Sequence, residues 1–588
     1  MPLKDLKFKA GISSDDTDRD VGAEGFWKDS DKIRFRHGLP QTIGGWDEVN
    51  PRSRIIGAAR GVVDWLSLRG EKLIAIGTSI KLYIWSAGTF TDITPIRSSV
   101  TINNDPFATS IGLSRVVVTD TGHGADNGTY VTFSGATAVG GLTISGEYVI
   151  TLIDGDSYAI THASTASGTA TGGGAAVVAK YQINPGLTDS HTYFGWGAGK
   201  WSAEAWGTAR TASSTFGACR TWTLDTWGED LIASHYNGSI YLWDSSSGVS
   251  NRATLIANAP TPNKVVTVSQ ESRHVIALGA NGDPMMIQWC DAEDYDTWTA
   301  TETNTAGEWR IDQGSQILSV IKVRDQHLVF TDASMYTMQY VGPPYVFSIT
   351  PAGGKGVIGP HAAVAYLGTG YWMGTSNFYI YDGTIKTVEC PVYNQVFLNM
   401  NMRQGFKVWA STNASYDEIW WMYCSAQSTE IDRYVIFNAT EGHWAVGTIS
   451  RTLMVGDSDV INYPYAISAD GKFYQHEAGT SADGEVLNAF VESGDVEIEP
   501  GGDHFMHISK FIPDFKTLDG QVTITLTAKR YPQDTASRTT TNTVDSDTDF
   551  FNPRLRGRQL AIRVESDATD AAWRVGTPRL EVAPHGRR

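Results

Sequence analysis

Cysteine is scarce in this chain. The four present, Cys219, Cys290, Cys390 and Cys424, lie far apart and form no CxxC pair. That spacing excludes a disulfide-stapled scaffold and a zinc ribbon. Buried free thiols are the expectation, because free cysteine behaves as a small core residue. Long apolar runs are missing too. The opening MPLKDLKFKAGISSDDTDRD lacks the apolar core of a signal peptide, and no stretch approaches the roughly 18 apolar residues of a membrane helix. The expectation is a protein made in a cytoplasm, with no integral membrane segment. Positive charge is in short supply: 46 Lys and Arg against 64 Asp and Glu leave a formal net charge of −18. Such a surface is poorly suited to wrapping nucleic acid. An acidic wall does repel phosphates, and so suits a conduit that DNA traverses without sticking.

Helical periodicity is nearly absent, whereas glycine (60) and tryptophan (19) are plentiful. Turns and aromatic strand positions account for such an excess, so the expected class is all-β. At 588 residues the chain is too long for one core and predicts two to four domains.

One phrase recurs along the chain: a turn of small polar residues, then a strand of alternating aromatic and aliphatic residues. GTSIKLYIW at 77–85, NGSIYLWD at 237–244, TSNFYIYD at 375–382 and ADGKFYQH at 469–476 are copies of it. The longer stretches 64–85 (DWLSLRGEKLIAIGTSIKLYIW) and 222–243 (WTLDTWGEDLIASHYNGSIYLW) match in order over some twenty positions. Weaker copies lie at 272–289, 318–340, 362–384, 416–447 and 465–477, with a period of about 40 to 50 residues. A period of that length with three or four strands per unit predicts a β-propeller body of about six to eight blades. A single four-stranded sheet cannot bury both faces, and stacking copies supplies the missing partners.

The expected division of the chain follows. Residues 1–60 read as an N-terminal arm or edge strands, and not as core. Residues 61–97 read as the first blade. Residues 98–186, with short alternating strands and the low-complexity TASGTATGGGAAVVAK, read as a small inserted β-sandwich or barrel. Residues 187–484 hold the remaining blades, and 485–588 form a second β-rich module. Its arginines (Arg554, Arg556, Arg558, Arg563, Arg574, Arg579, Arg587 and Arg588) stand out in an acidic chain.

Candidate chemistry is thin. GWGAGKW at 195–201 lacks the first glycine and the closing Ser or Thr of a phosphate loop, and GTGYWMG at 368–374 lacks dinucleotide-loop spacing. Glycine turns between strands account for both. DHFMH offers Asp503, His504 and His507, but on a strand the two histidines point to opposite faces. CDAEDYDTW places Asp291, Glu293, Asp294 and Asp296 together, yet lacks the glycine and closing glutamate of a calcium loop. Paired carboxylates for glycoside hydrolysis carry little weight in a chain with 64 acidic residues. No GxSxG or HExxH occurs, so no catalytic residue, metal or cofactor is expected.

Several stretches taken in order resemble the tail nozzle proteins of short-tailed bacteriophages, the tail tubular protein B-like family. They are KIRFRHGLPQTIGGW, GTSIKLYIWSAGTFTDITP, RHVIALGANGDPMMIQWCDAEDYDTWTATETNTAGEWRIDQGS, LVFTDASMYTMQYVGPPYVF and the closing RGRQLAIRVES with WRVGTPRLEVAPHGRR. The resemblance covers about 35–98 and 200–588. It implies a structural virion protein, assembled in the host bacterial cytoplasm into a homo-hexamer in the phage tail. A head-to-tail adaptor protein, tail fibre or spike proteins, and genomic double-stranded DNA passing through the lumen without specific binding are the implied partners. The family has no catalytic residues to carry over, and its gate and lumen loops are not transferable position by position. A carbohydrate-binding or glycoside-hydrolysing β-propeller is the alternative reading.

Overall fold

The computed structural model describes residues 3–192, 216–458, 460–498, 504–535, 537–566 and 568–586. The chain is all-β: strands dominate, and the α-helices among the described residues are the short Asp18–Glu24 and Tyr393–Phe397. No helix among them is long and apolar enough to cross a membrane, a statement that does not bear on strands. Two compact units result, residues 55–312 and residues 1–54 with 313–588.

The 55–312 unit contains three four-stranded antiparallel meanders. Ala59–Leu66, Lys72–Thr78, Leu82–Ser86 and Thr89–Asp92 form the first. The second begins with Trp222–Trp227 and Asp230–His235, the third with Val265–Ser269 and His274–Leu278. The recurring phrase has a local cause in the turn. In TSIK the Thr78 N–H donates to the Lys81 carbonyl (2.7 Å) and the Thr78 hydroxyl accepts from the Lys81 N–H (2.8 Å). In the other unit TDAS repeats this between Thr331 and Ser334. A side-chain oxygen thus satisfies the turn's backbone donor and sets the register of the aromatic strand that follows.

Each meander buries its faces against the next. Trp65, Leu73 and Ile84 of the first pack with Trp222, Leu231 and Trp243 of the second in one cluster. Ile232 and Ile240 of the second pack with Val266, Val275 and Cys290 of the third. Trp222 is fully buried and donates its indole N–H to the Thr78 carbonyl at 2.7 Å, which ties the first strand of the second sheet to the second strand of the first. Glycine is required beneath it: a Cβ on Gly77 would lie 2.2 Å from the indole.

Between the first two meanders the chain runs through two further antiparallel sheets. Ile96–Thr101, Val178–Gln182, Tyr130–Ser134 and Gly146–Val149 make one; the other centres on Arg115–Thr119 and Ser157–Thr161. They enclose their own core of Phe107, Val118, Val131, Phe133, Tyr158 and Tyr181. Because the first strand pairs with the last, the chain enters and leaves this insert through one hairpin-like stem.

The other unit contains four meanders. Three are sequential: Ile317–Val323 to Val346–Gly353, Ala363–Tyr366 to Ile385–Val388, and Trp409–Asn413 to Trp444–Thr448. The fourth has Leu453–Val455, Tyr465–Ile467 and Phe473–His476, and takes its last strand, Trp46–Glu48, from the start of the chain. Three more sheets form the C-terminal module, and the N-terminal segment supplies strands to each. Leu3–Asp5 pairs with Arg579–Pro584, Trp27–Asp31 with Phe490–Ser493, and Leu39–Thr42 with Ala572–Val575.

This departs from the expected N-terminal arm. Leu3–Asp5, Trp27–Asp31 and Trp46–Glu48 are edge strands and Leu39–Thr42 is an interior one, and side chains of the segment are core: Trp27 is 1%, Ile33 0% and Arg34 1% exposed. The polar appearance of residues 1–50 comes from strands of three to five residues, most of which find a partner more than 400 positions away, so little in the local pattern announces their burial.

Candidate functional site

The residues singled out in the sequence do not converge. In 368–374, Gly368 is a left-handed turn residue (φ +71°) before the strand Thr369–Met373, so this glycine run is a strand connection. The 195–201 stretch and Asp503 lie outside the described residues. His507 sits on the strand Met506–Ile512, with its ring 6.0 Å from that of His585. Among the described residues, no group of three or more His, Cys, Asp or Glu side chains is placed to hold a metal ion.

The acidic run 290–298 turns its carboxylates onto its own loop. Asp291 accepts from the Ala292 N–H (2.9 Å) and from the Thr305 N–H and hydroxyl (2.8 and 2.6 Å). Burial opposes its charge, but the Thr305 bonds outweigh that and draw its carboxyl below the usual range. Asp294 caps Asp296 and Thr297, Asp296 accepts from the Asn258 amide, and Glu293 is exposed. The four cysteines are free, with three buried and Cys390 half-buried. Burial pushes the Cys290 and Cys390 thiols up to about 12, so both are inert at neutral pH.

Two charge networks that the sequence did not announce hold the units internally. In the first, Arg34 on the strand Ile33–Arg36 meets Glu418 and Glu477. Its Nε donates to Glu418 Oε1 at 2.8 Å and its Nη2 to Glu418 Oε2 at 3.1 Å, a two-pronged pair. Its Nη1 donates to Glu477 Oε2 at 2.8 Å, and the guanidinium lies 3.5 Å from the Tyr416 ring. The carboxylates have further donors: the Trp420 indole on Glu418, and the Gly44 N–H and Asn413 amide on Glu477. Burial disfavours the Arg34 cation, but the two carboxylates more than offset it and hold the group above its usual range. Every oxygen of the two carboxylates thus accepts at least one hydrogen bond from within the network.

The second network joins the insert to the meanders beside it. Lys81, 3% exposed, places its ammonium 2.8 Å from Asp92 and 2.6 Å from Glu147, over the Tyr130 ring at 3.9 Å. Arg252 of the second meander reaches the same two carboxylates at 3.2 and 3.5 Å, and Gln182 donates to Glu147 at 2.6 Å. Burial raises the Asp92 carboxyl, yet Arg252 and Lys81 prevail and hold it below the usual range. Strands of two meanders and of the insert thereby share one ionic cluster.

A cleft of about 700 Å³ opens beside the N-terminal segment. Its floor is Ile12, Phe26 and Trp444, and Asp16, Glu24 and Glu389 stand on its rim. A smaller cavity of about 100 Å³ lies between Asp29, Asp31, Gln395 and Arg433. Asp31 there is engaged with the Thr448 N–H and hydroxyl at 2.8 and 2.6 Å.

The C-terminal arginines are mostly committed. Arg563 pairs with Glu492 (3.1 Å) and Glu565 (2.8 Å), Arg579 with Asp5 (3.2 Å), and Arg574 donates to the Arg36 carbonyl. Arg556 and Arg558 both lie over the Phe505 ring, at 4.7 and 4.8 Å. Arg587 and Arg588 lie outside the described residues. No family model and no curated protein sequence matches the chain. Among solved structures it is similar to the phage phi92 endosialidase, at 9% identity over 81% of this chain and 74% of that one, with a TM-score of 0.21. A chain of a mitotic checkpoint complex gives 10%, 65%, 94% and 0.30. An exo-beta-1,3-galactanase from Phanerochaete chrysosporium gives 10%, 61%, 95% and 0.25. At TM-scores this low, none of these likenesses carries an argument about function.

Proposed function

We propose that this chain is a non-catalytic structural protein of a phage virion. Six copies form the tail nozzle, which extends and closes the DNA-ejection channel and offers docking surfaces to tail fibres or spikes. In this reading the body of each subunit is a β-propeller of about six to eight blades, built from repeated four-stranded meanders such as the one that Trp46–Glu48 completes. A head-to-tail adaptor holds the ring from above, and genomic double-stranded DNA passes through a lumen whose acidic character keeps it from sticking.

The observation that carries the reading is how buried charge is used. The Arg34 network is a buried set, the Lys81 network buries its ammonium beneath carboxylates that reach the surface, and each one ties together elements distant in sequence. Such groups fix a frame against shear. A catalytic pair would keep a lone pair or a proton facing a cavity. The ordered stretches resembling nozzle proteins and the net charge of −18 support the same role.

The test is negative-stain microscopy of the purified full chain, alone and with its adaptor, alongside an assay against a glycan panel. Six-fold rings without glycan turnover are expected. Monomeric particles that cleave or tightly bind a glycan would replace this reading with the carbohydrate-active one.

A further inference from the structure

In an acidic chain, one surface of the C-terminal module is basic and built in layers. The Arg556 and Arg558 guanidiniums both lie over the Phe505 ring, at 4.7 and 4.8 Å, and Arg558 also lies 5.0 Å from the Tyr531 ring. Phe505 is buried beneath them, whereas Tyr531 is 57% exposed. Arg556 is aimed by a hydrogen bond of 3.2 Å to the His585 carbonyl. Arg530 and Arg554 flank the stack and are exposed. Stacked guanidiniums lose little entropy when they bind, and their planar donors match carboxylates in pairs.

The 700 Å³ cleft has the complementary character. Ile12 and Trp444 form an apolar floor, at 1% and 3% exposure, and the Trp444 indole is fixed by the Glu389 carbonyl at 2.9 Å. Asp16, Glu24 and Glu389 are exposed on its rim. Its basic side chains are engaged: Lys9 lies over Phe26, and His443, which burial holds below the usual histidine range, lies 3.3 Å from Glu441. An apolar floor with an acidic rim fits a partner that offers aromatic surface together with arginine.

We propose that the occupant of this cleft is the Arg–Phe–Arg–Tyr ridge of a second copy of the chain. Charge complementarity selects it, since both halves are on the same molecule. Two different patches meeting head to tail make a heterologous interface, which closes into a ring when the rotation per subunit divides a full turn. The inference rests on the ring reading above and names the surfaces that would build it.

The test uses charge swaps at exposed positions of the full-length chain, read by mass photometry. Arg530→Glu with Arg554→Glu places two acidic groups on the ridge beside the remaining Arg556 and Arg558, and Glu24→Arg with Glu389→Arg places two basic groups on the cleft rim. Arg→Gln and Glu→Gln versions serve where a reversal impairs folding. Each swap alone is expected to raise the half-assembly concentration about tenfold or more, because like charges then meet across the contact. An equimolar mixture of the two swapped chains is expected to regain rings, because the introduced acidic groups then meet the introduced basic groups at alternate contacts. Swapped chains that assemble as the unmodified chain does would overturn the surfaces while leaving the ring reading intact. So would a mixture that stays monomeric. An unmodified chain that remains monomeric with its adaptor present would overturn both. A shift of double-stranded DNA that vanishes with Arg530→Glu and Arg554→Glu, while assembly is unchanged, would reassign the ridge to nucleic acid.

Discussion

Replacing Arg34 by methionine probes the N-terminal network most sharply. The substitution keeps much of the side-chain volume but removes the two bonds to Glu418, the bonds to Glu477 and the cation over Tyr416. Glu418 then stays in a fully buried site, held by the Trp420 indole and near the Glu477 carboxylate. Breaking one side of a buried ion pair costs about 3–5 kcal/mol, most of it the desolvation of the stranded charge. The loss has a pH signature. Burial already pushes the Glu418 carboxyl up, and without Arg34 nothing of comparable strength draws it back. The folded variant therefore holds a proton that the unfolded chain has released above about pH 4.3, so stability falls as pH rises. The penalty is expected to be larger at pH 8 than at pH 5. Urea unfolding followed by tryptophan emission, with amide exchange on Glu418–Tyr423 to identify the transition, measures it. A companion with Arg34→Met, Glu418→Leu and Glu477→Gln is expected to recover most of the loss, since no charge is then left buried. A single variant within about 1 kcal/mol of the unmodified chain at pH 8, on the scale set by buried pairs, would refute the reasoning.

Other expectations follow from the same physics. Lys81→Met should raise amide exchange in the insert stem, Ile96–Thr101 and Val178–Gln182, without unfolding the insert core around Phe107 and Phe133. In the unmodified chain, Asp92 is held below its usual range, so its contribution persists above about pH 3.9 and is lost as pH falls through that lowered value. Stem protection should therefore hold from pH 8 to 5 and fail only in stronger acid. Gly77→Ala should destabilise the contact of the first two meanders by about 1–3 kcal/mol, the usual cost of overpacking, because its Cβ meets the Trp222 indole. A thermal scan in which Gly77→Ala matches the parent would contradict this. A thiol reagent at pH 8 should label Cys290 and Cys390 very slowly in the native chain and rapidly in denaturant, given thiols raised to about 12. Fast native labelling of either would show that its surroundings are open.

The class and the repeat were legible in the sequence because both rest on local pattern. The alternation in IKLYIW and IYLW is a strand's own period, and the Thr78 and Thr331 turns are closed within four residues. What escaped was non-local. Arg34 finds Glu418 and Glu477 at separations of 384 and 443, and nothing in KIRFRHG distinguishes the buried Arg34 from the exposed Arg36. The N-terminal strands read as a polar arm for the same reason, since their burial depends on strands at the far end of the chain. The acidic run at 290–298 was legible as a loop, but the role of Asp291 depended on Thr305, fourteen residues on. The basic character of the C-terminal module was visible as composition. Its division into committed pairs such as Arg563–Glu492 and the stacked Arg556 and Arg558 was not.

The most direct test of the central claim is immunogold labelling of phage particles from the source culture, using an antibody raised against this chain. The account predicts gold at the tip of short tails. Particles that carry no label, whether intact or partly disrupted, would contradict it.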